Sequence, residues 1–159
     1  MPVTLRPMTD AEFAEWLPRS VRSYAEERAR AQSRPFEEVL PDATQQIERY
    51  LSEGPRTPAH DVLRVLDDGD PVGWLWLGPH PDKVGAAWVY EIEIDERARG
   101  RGIGRETMLA AEELIATRGV TELGLNVFGH NARAIALYRS LGYVTTAMNM
   151  AKPLRDRSR

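Results

Sequence analysis

The stretch Arg97-Ala98-Arg99-Gly100-Arg101-Gly102-Ile103-Gly104-Arg105 decides how this sequence folds. Upstream of it the residues alternate as in a strand, and downstream of it they follow the periodicity of a helix. Three glycines at every second position leave a backbone that can curve closely around a ligand. Four arginines crowd the start of the helix, although the free N–H groups there already carry partial positive charge. We therefore expect this loop to bind an anion, and phosphate is the usual ligand of such loops.

The glycine spacing excludes two other phosphate-binding motifs. A dinucleotide fingerprint G-x-G-x-x-G beginning at Gly100 or Gly102 would need its third glycine at Arg105 or Thr107. A nucleoside-triphosphate loop needs a Gly-Lys pair, which the sequence does not contain. A flexible, solvated turn between strand and helix remains as the alternative to an anion site.

The composition limits the classes of protein to which this chain can belong. The chain has 159 residues, a net charge of -3 and no cysteine, which fits one domain over residues 1–159. Without cysteine it forms neither disulfides nor thiolate metal sites, and the three histidines show no metal-ligand spacing, so we expect no metal. The near-neutral charge argues against a nucleic-acid partner, and no apolar run suits a membrane span or a signal peptide. We expect a cytoplasmic protein.

Strands and helices alternate along the second half of the sequence, which predicts at least one parallel β-α-β unit and hence an α/β fold. A hairpin is predicted around the turn at residues 67–70, which is rich in the residues that tight turns require. The predicted strands span residues 3–7, 61–66, 71–77, 88–95, 120–127 and 143–150. The predicted helices span residues 11–32, with an interruption at Pro18, and residues 42–53, 104–117 and 131–141. Thr9 or Asp10 is expected to cap the first of these helices, with Glu12 in its first turn.

The strand that precedes the glycine loop carries two glutamates. Alternation places Glu91 and Glu93 on one face of this strand. A β-bulge before the loop would redirect either carboxylate into a cleft, whereas a regular strand would leave both on a polar outer face. The opposite face is predicted to carry Trp88, Tyr90, Ile92 and Ile94.

Two motifs together resemble one known family. Arg99-x-x-Gly102-x-Gly104 is similar to the (Gln/Arg)-x-x-Gly-x-(Gly/Ala) signature of the GNAT superfamily of acyl-CoA-dependent N-acyltransferases. Residues 131–143 are similar to the family's downstream Asn-x-x-Ala-x-x-Leu-Tyr-x-x-x-Gly-Phe/Tyr segment, and order and spacing agree. The resemblance implies a mixed sheet of six or seven strands with about four helices, the fourth and fifth strands splaying apart. It also implies transfer of an acetyl group from acetyl-CoA to a primary amine by direct attack in a ternary complex.

The resemblance also implies where coenzyme A binds. The pantetheine arm is expected along the backbone of Ile92 and Ile94, and it is expected to contact Asn131 and Ala134. The pyrophosphate is expected on the loop N–H groups of Arg99, Gly100, Arg101, Gly102, Ile103, Gly104 and Arg105.

The chemistry requires a base and an acid. The attacking amine must be neutral, yet a lysine-type amine has a pKa near ~10.4 and is protonated at pH 7, so a carboxylate must take a proton. Glu91 is the first candidate because several members of the family carry an acidic residue there, and Glu93 is the second. By resemblance, Tyr138 gives a proton to the departing thiolate; its alternative is a buried aromatic with a satisfied hydroxyl.

Several questions stay open at the level of sequence. Asn126 stands where ribosomal-protein acetyltransferases carry a glutamate, which weakens that assignment of the acceptor. A small-molecule amine and a peptide amine both remain, and homodimers are common in the family. His60 and His130 could reach the site or be ordinary surface. The alternatives in function are a CoA-binding sensor without turnover and a transferase that uses a longer acyl-CoA.

Overall fold

One mixed sheet with the order β1-β2-β3-β4-β5 organises the protein, and four helices cover its two faces. The computed structural model describes residues 3–155. Strands β1 to β4 are antiparallel neighbours, and β5 runs parallel to β4. The strands are β1 (Val3–Pro7), β2 (Asp61–Asp67), β3 (Asp70–Pro79), β4 (Ala87–Ile94) and β5 (Leu123–Leu125). The helices are α1 (Asp10–Gln32), α2 (Phe36–Tyr50), α3 (Ile103–Ala116) and α4 (Ala132–Ser140).

The predicted α/β fold with four helices is confirmed, and the predicted number of six or seven strands is wrong. Within residues 3–155 the sheet has five strands, because residues 143–150 pair with no strand and residues 120–127 contribute only Leu123–Leu125. Alternation gives a segment the periodicity of a strand, but a strand exists only where a neighbour accepts its hydrogen bonds.

Residues close together in the sequence determine where most of the helices and strands begin and end. Thr9 caps α1 through a reciprocal pair with Glu12, in which each side chain accepts the other's backbone N–H. At the hairpin, Asp68 and Gly69 have φ of 50° and 82°, the pair of positive values that a type I′ turn requires. Both features agree with the sequence prediction.

The prolines inside the first two helices interrupt them less than the sequence predicts. Helix α1 continues through Pro18, where the sequence predicts an interruption, and α2 begins at Phe36 rather than at residue 42, although it contains Pro41. A proline inside a helix removes one hydrogen bond at a cost of about 3 kcal/mol. Fully buried contacts between the two helices, centred on Ala25 and Val39, offset that cost.

Two different cores lie on the two faces of the sheet. The face toward α3, here called the α3 side, buries aliphatic side chains such as Leu75, Leu77 and Met108. The opposite face, here called the α1 side, buries an aromatic cluster that includes Trp16 and Trp76. The candidate site described below connects the two sides.

A β-bulge in β4 changes the predicted orientation of its side chains. Trp76 of β3 lies opposite Glu91 while Leu77 lies opposite Val89, so Tyr90 is one residue extra. Tyr90 and Glu91 therefore both face the α1 side, where Tyr90 stacks on Trp76 at 4.6 Å between ring centroids. Ile92 and Ile94 pack on the α3 side, so their predicted grouping with Tyr90 on one face is wrong.

No helix within residues 3–155 is both long and apolar enough to cross a membrane.

Candidate active site

The site begins where β4 and β5 separate. The two strands pair only over Ala87–Val89 and Leu123–Leu125, and residues 90–94 of β4 have β3 on one side and no strand on the other within residues 3–155. The splay expected from the resemblance is therefore present. Ile92 and Ile94, the predicted contacts of the pantetheine arm, lie on this open edge. Unpaired backbone groups on such an edge can accept an extended ligand as if it were another strand.

The glycine loop presents a row of free donors at the end of that edge. Gly100 and Gly102 have φ of 77° and 78°, in the left-handed region, and Gly102 is the N-cap of α3 without a side-chain cap. Within the described part of the chain, none of the N–H groups of residues 100–105 donates a hydrogen bond. The N–H of Arg99, also predicted to bind the pyrophosphate, donates instead to the carbonyl of Glu96 at 3.2 Å. Six consecutive unpaired donors at a helix N-terminus are able to hold an anion.

The four arginines of the loop attach it to neighbouring parts of the fold. Their guanidinium groups bind neighbouring elements rather than pointing freely at solvent. Arg97 pairs with Asp70 at 3.1 Å, Arg99 donates to the carbonyl of Ile94 at 2.9 Å, Arg101 pairs with Asp67 at 2.6 Å, and Arg105 donates to Ser140 Oγ at 3.0 Å. In this geometry the donors open to an anion are backbone N–H groups, and the arginine side chains attach the loop to neighbouring elements.

Helix α4 lies beside the loop and carries three predicted residues. Asn131 is its N-cap, and the side-chain carbonyl accepts the N–H of Ala134 at 3.2 Å. The Asn131 amide NH₂ donates no hydrogen bond within residues 3–155. Tyr138 packs against the α3-side core, with its ring 5.9 Å from that of Tyr143, and burial raises the pKa of the Tyr138 hydroxyl. That hydroxyl is therefore protonated at neutral pH and makes no hydrogen bond to the described residues.

Glu91 lies on the α1 side in a polar pocket within the aromatic cluster. Its Oε2 accepts hydrogen bonds from the indole Nε1 of Trp16 at 2.8 Å and from Ser20 Oγ at 2.7 Å. Burial raises the pKa of Glu91 to about 7, and the nearby Glu93 carboxylate adds to the rise, while the hydrogen bonds from Ser20 and Trp16 oppose it. Oε1 accepts no hydrogen bond from the described residues, so one carboxylate oxygen is fixed and the other is available.

Glu93 is placed differently. Its carboxylate pairs with Arg19 of α1 at 3.3 Å, near the mouth of the cleft between α1 and the sheet. Of the two glutamates, Glu93 is paired with a cation, whereas Glu91 accepts hydrogen bonds only from neutral donors.

Ser20 and Trp16 are the site residues that sequence reasoning missed as partners of Glu91. Their spacing of four on the inner face of α1 was a signal that they act together. Ser20 and Trp16 lie 71 and 75 residues from Glu91 in the sequence, so local sequence patterns do not indicate the contact.

The histidines take structural positions next to the site. His60 Nδ1 accepts the indole N–H of Trp76 at 3.0 Å inside the aromatic cluster, and burial lowers the pKa of His60. His130, in the loop before α4, lies 2.8 Å from a carboxylate oxygen of Glu27 on α1. Residues 3–155 contain no group of three or more His, Asp or Glu side chains placed to hold a metal ion.

Comparison with known proteins agrees with this geometry. The family model described as the acetyltransferase (GNAT) family matches residues 21–143. Two Bacillus subtilis (strain 168) proteins called uncharacterized N-acetyltransferases are similar over their whole length. YycN is 31% identical over 97% of this chain and 100% of its own, and YdgE is 30% identical over 97% and 99%. The crystal structure of YycN superposes with a TM-score of 0.89 over 97% of this chain and 99% of that one.

Proposed function

Because the chain belongs to the acetyltransferase (GNAT) family of enzymes, we propose that it transfers the acetyl group of acetyl-CoA to a primary amine by direct attack in a ternary complex. The observation that carries the proposal is the row of unpaired N–H groups at residues 100–105, at the end of the open edge of β4. A row of donors suits a pyrophosphate, and an unpaired strand edge suits an amide-bearing arm. Both are parts of coenzyme A.

The residues fit this cosubstrate. The N–H groups of residues 100–105 would bind its pyrophosphate, the edge at residues 90–94 would bind its arm, and the free amide of Asn131 would donate to it. The cosubstrate would bring an activated acyl thioester to the open edge of β4. The donors in this set are backbone N–H groups and one neutral amide, so the selectivity would come from backbone shape.

Glu91 is proposed as the general base. A primary amine arrives protonated, and a carboxylate with a pKa of about 7 accepts a proton more readily than one at the ordinary value of 4.5. Oε1 is the free oxygen that would take this proton, directly or through water, while Trp16 and Ser20 hold Oε2. Glu93 is less suited to the role because Arg19 pairs with its carboxylate.

Tyr138 is proposed as the general acid. Its hydroxyl is protonated at neutral pH and has no partner among the described residues, so its proton is free to pass to the departing thiolate. The splay between β4 and β5 is the passage that would let Glu91 on the α1 side and Tyr138 on the α3 side serve one reaction centre.

The acceptor is a primary amine of a small molecule or of a peptide. Aromatic side chains next to Glu91, including Tyr50 and Tyr90 with centroids 4.9 Å apart, would offer faces to the methylene groups or the cationic end of such a molecule. We propose no nucleic-acid or membrane partner.

Calorimetric titration with acetyl-CoA tests the cosubstrate, and a panel of amines assayed by release of free thiol tests the reaction. We expect micromolar binding of acetyl-CoA, weaker binding of dephospho-CoA, and none of NAD. Binding followed by thiol release with at least one amine supports the proposal. No binding of acetyl-CoA would remove the assignment of the loop, and binding without turnover on any amine would favour a sensor.

A further inference from the structure

Helix α1 crosses the sheet from β2 to beyond β5, and its last third lies over the gap between β4 and β5. Near its start, Glu12 pairs with an arginine of β2 at 3.2 Å. In its middle, Ser20 donates to Glu91 of β4 at 2.7 Å. Farther along, Glu27 reaches the loop after β5, where one of its carboxylate oxygens lies 2.8 Å from Nε2 of His130. The helix therefore forms a wall over the open edge of β4, where the acyl thioester is proposed to bind.

One side of α1 connects the surroundings of Glu91 with Glu27. At 3.6 residues per turn, Ser20, Ser23 and Glu27 lie within about 60° of one another around the helix axis. The seven residues from Ser20 to Glu27 span about 10 Å along that axis. Ser23, between them, is exposed. This side of the helix therefore has a carboxylate at each end and a small side chain in the middle, which leaves space for a chain of methylene groups.

The Glu27 carboxylate is arranged like that of Glu91. His130 contacts only Oε2, and Oε1 contacts no donor in the described part of the chain. No lysine or arginine within residues 3–155 pairs with Glu27, and 41% of the surface of its side chain is exposed. The ring of Phe128 stacks on that of His130, with centroids 5.8 Å apart and planes 6° apart, and so holds the imidazole in place. Glu27 is therefore open to a cation at a fixed distance from the proposed base.

We propose that Glu27 binds a second cationic group of the acceptor and that the preferred acceptor is a linear aliphatic diamine. The inference rests on the proposed function, because one amine must react beside Glu91 while Glu27 holds the other. The reacting amine gives its proton to Glu91 and forms the new C–N bond as the C–S bond of the thioester breaks. The second amine stays protonated and does not react.

The wall formed by α1 suits a methylene chain better than a peptide. The backbone groups of α1 bond within the helix, so they offer no hydrogen bonds to the backbone of a peptide. The two carboxylates can bind two ammonium groups, and a diamine whose nitrogens lie at most about 10 Å apart reaches both. A monoamine of equal length leaves Glu27 unpaired, so complementarity of charge selects the diamine.

Steady-state kinetics at saturating acetyl-CoA tests the inference with diaminobutane, diaminohexane and diaminooctane and with the monoamines of the same chain lengths. For the wild type we expect kcat/KM to be about tenfold higher for the best diamine than for its monoamine, the effect of one hydrogen bond between charged groups. Glu27→Gln should bring this ratio close to one, and Glu27→Asp should restore part of it. The ratio cancels any loss of activity that is common to both substrates.

Glu26→Gln is the matched control, because Glu26 is the neighbouring acidic residue of α1 but pairs with Arg22 at 3.2 Å. This variant should keep the tenfold ratio. A ratio near one in the wild type, a tenfold ratio retained by Glu27→Gln, or an equal loss in the Glu26 and Glu27 variants would each overturn the inference. In these cases acetylation of the monoamines would still support the proposed function. No turnover of any amine would overturn the proposed function, and the inference with it.

Discussion

The Glu91 pocket and the glycine loop lie along the same open edge of β4, and the chain builds them from different parts. At Glu91, side chains build the pocket: two donors from α1 hold one carboxylate oxygen, and aromatic rings keep it partly buried. At residues 100–105, the backbone presents the donors, and the arginine side chains face outward to Asp67, Asp70, Ile94 and Ser140.

This difference determines how each region responds to mutation. A site made of one side chain is lost when that side chain is changed. A site made of several backbone N–H groups survives most substitutions and is sensitive mainly to changes in φ. The following predictions test this contrast, beginning with the largest expected effect.

Glu91→Gln should lower kcat about a thousandfold, because removal of a general base commonly costs factors of this order. The KM for acetyl-CoA should change little, since the loop is untouched. Steady-state kinetics across pH measures both, and the wild-type rate should rise with pH through about 7 as Glu91 loses its proton. Glu93→Gln is the control and should retain kcat; equal losses in the two variants would contradict the assignment.

The free energy of unfolding of Glu91→Gln shows whether a lower kcat comes from loss of the base or from a disturbed fold. The folded protein raises the pKa of Glu91 from 4.5 to about 7, so between these values the native state binds more protons than the unfolded state. Stability should therefore fall as pH rises through this window, by up to about 3 kcal/mol from this group. Urea unfolding at pH 4.5 and pH 8 should show this loss in the wild type and its absence in the variant.

Tyr138→Phe should lower kcat about a hundredfold through loss of the proton donor. The ring remains, so packing against the α3-side core should persist. Tyr143→Phe is the matched control, because its ring lies 5.9 Å from that of Tyr138 and it loses the same hydroxyl group. Retention of full kcat by Tyr138→Phe would exclude the acid role.

Gly102→Ala and Gly119→Ala compare the loop with a matched turn. Both glycines have left-handed φ, 78° and 76°, and a Cβ at either would meet no atom within 4 Å, so each variant should lose about 1 kcal/mol of stability. Only Gly102→Ala should weaken acetyl-CoA binding, by about tenfold, the loss of one hydrogen bond to a charged group. Calorimetry measures the affinities. Equal affinities would mean that the loop does not bind the cosubstrate.

Ser20→Ala should give the smallest effect. The Ser20 hydroxyl stabilises the charged form of Glu91, so its removal should raise the pKa of Glu91 further and move the acid limb of the rate profile to higher pH. The rate should fall a few-fold below pH 7 and recover at higher pH. Ser20→Thr keeps the hydroxyl and should restore the wild-type profile. A rate loss independent of pH would indicate a structural role only.

The sequence predicted much of the fold because its signals are local. The Thr9–Glu12 cap and the Asp68-Gly69 turn follow from which residues satisfy helix ends and positive φ, and both were found as predicted. The grouping of Tyr90 with Ile92 on one face was wrong, because a bulge depends on how β4 meets β3. The strand predicted at residues 143–150 was also wrong, because a strand requires a neighbour and none pairs with this segment within residues 3–155.

By itself, then, the sequence determined the glycine loop, the strand and helix on either side of it, and the family whose members share that pattern. The roles of the predicted site residues stay predictions. The tertiary structure alone decided that Trp16 and Ser20 hold Glu91 and that the loop arginines bind neighbouring elements. The physical reason is the separation along the chain between interacting residues. Turns, caps and backbone donors follow from adjacent residues. The surroundings of a buried carboxylate depend on residues more than seventy positions away, which only packing brings together.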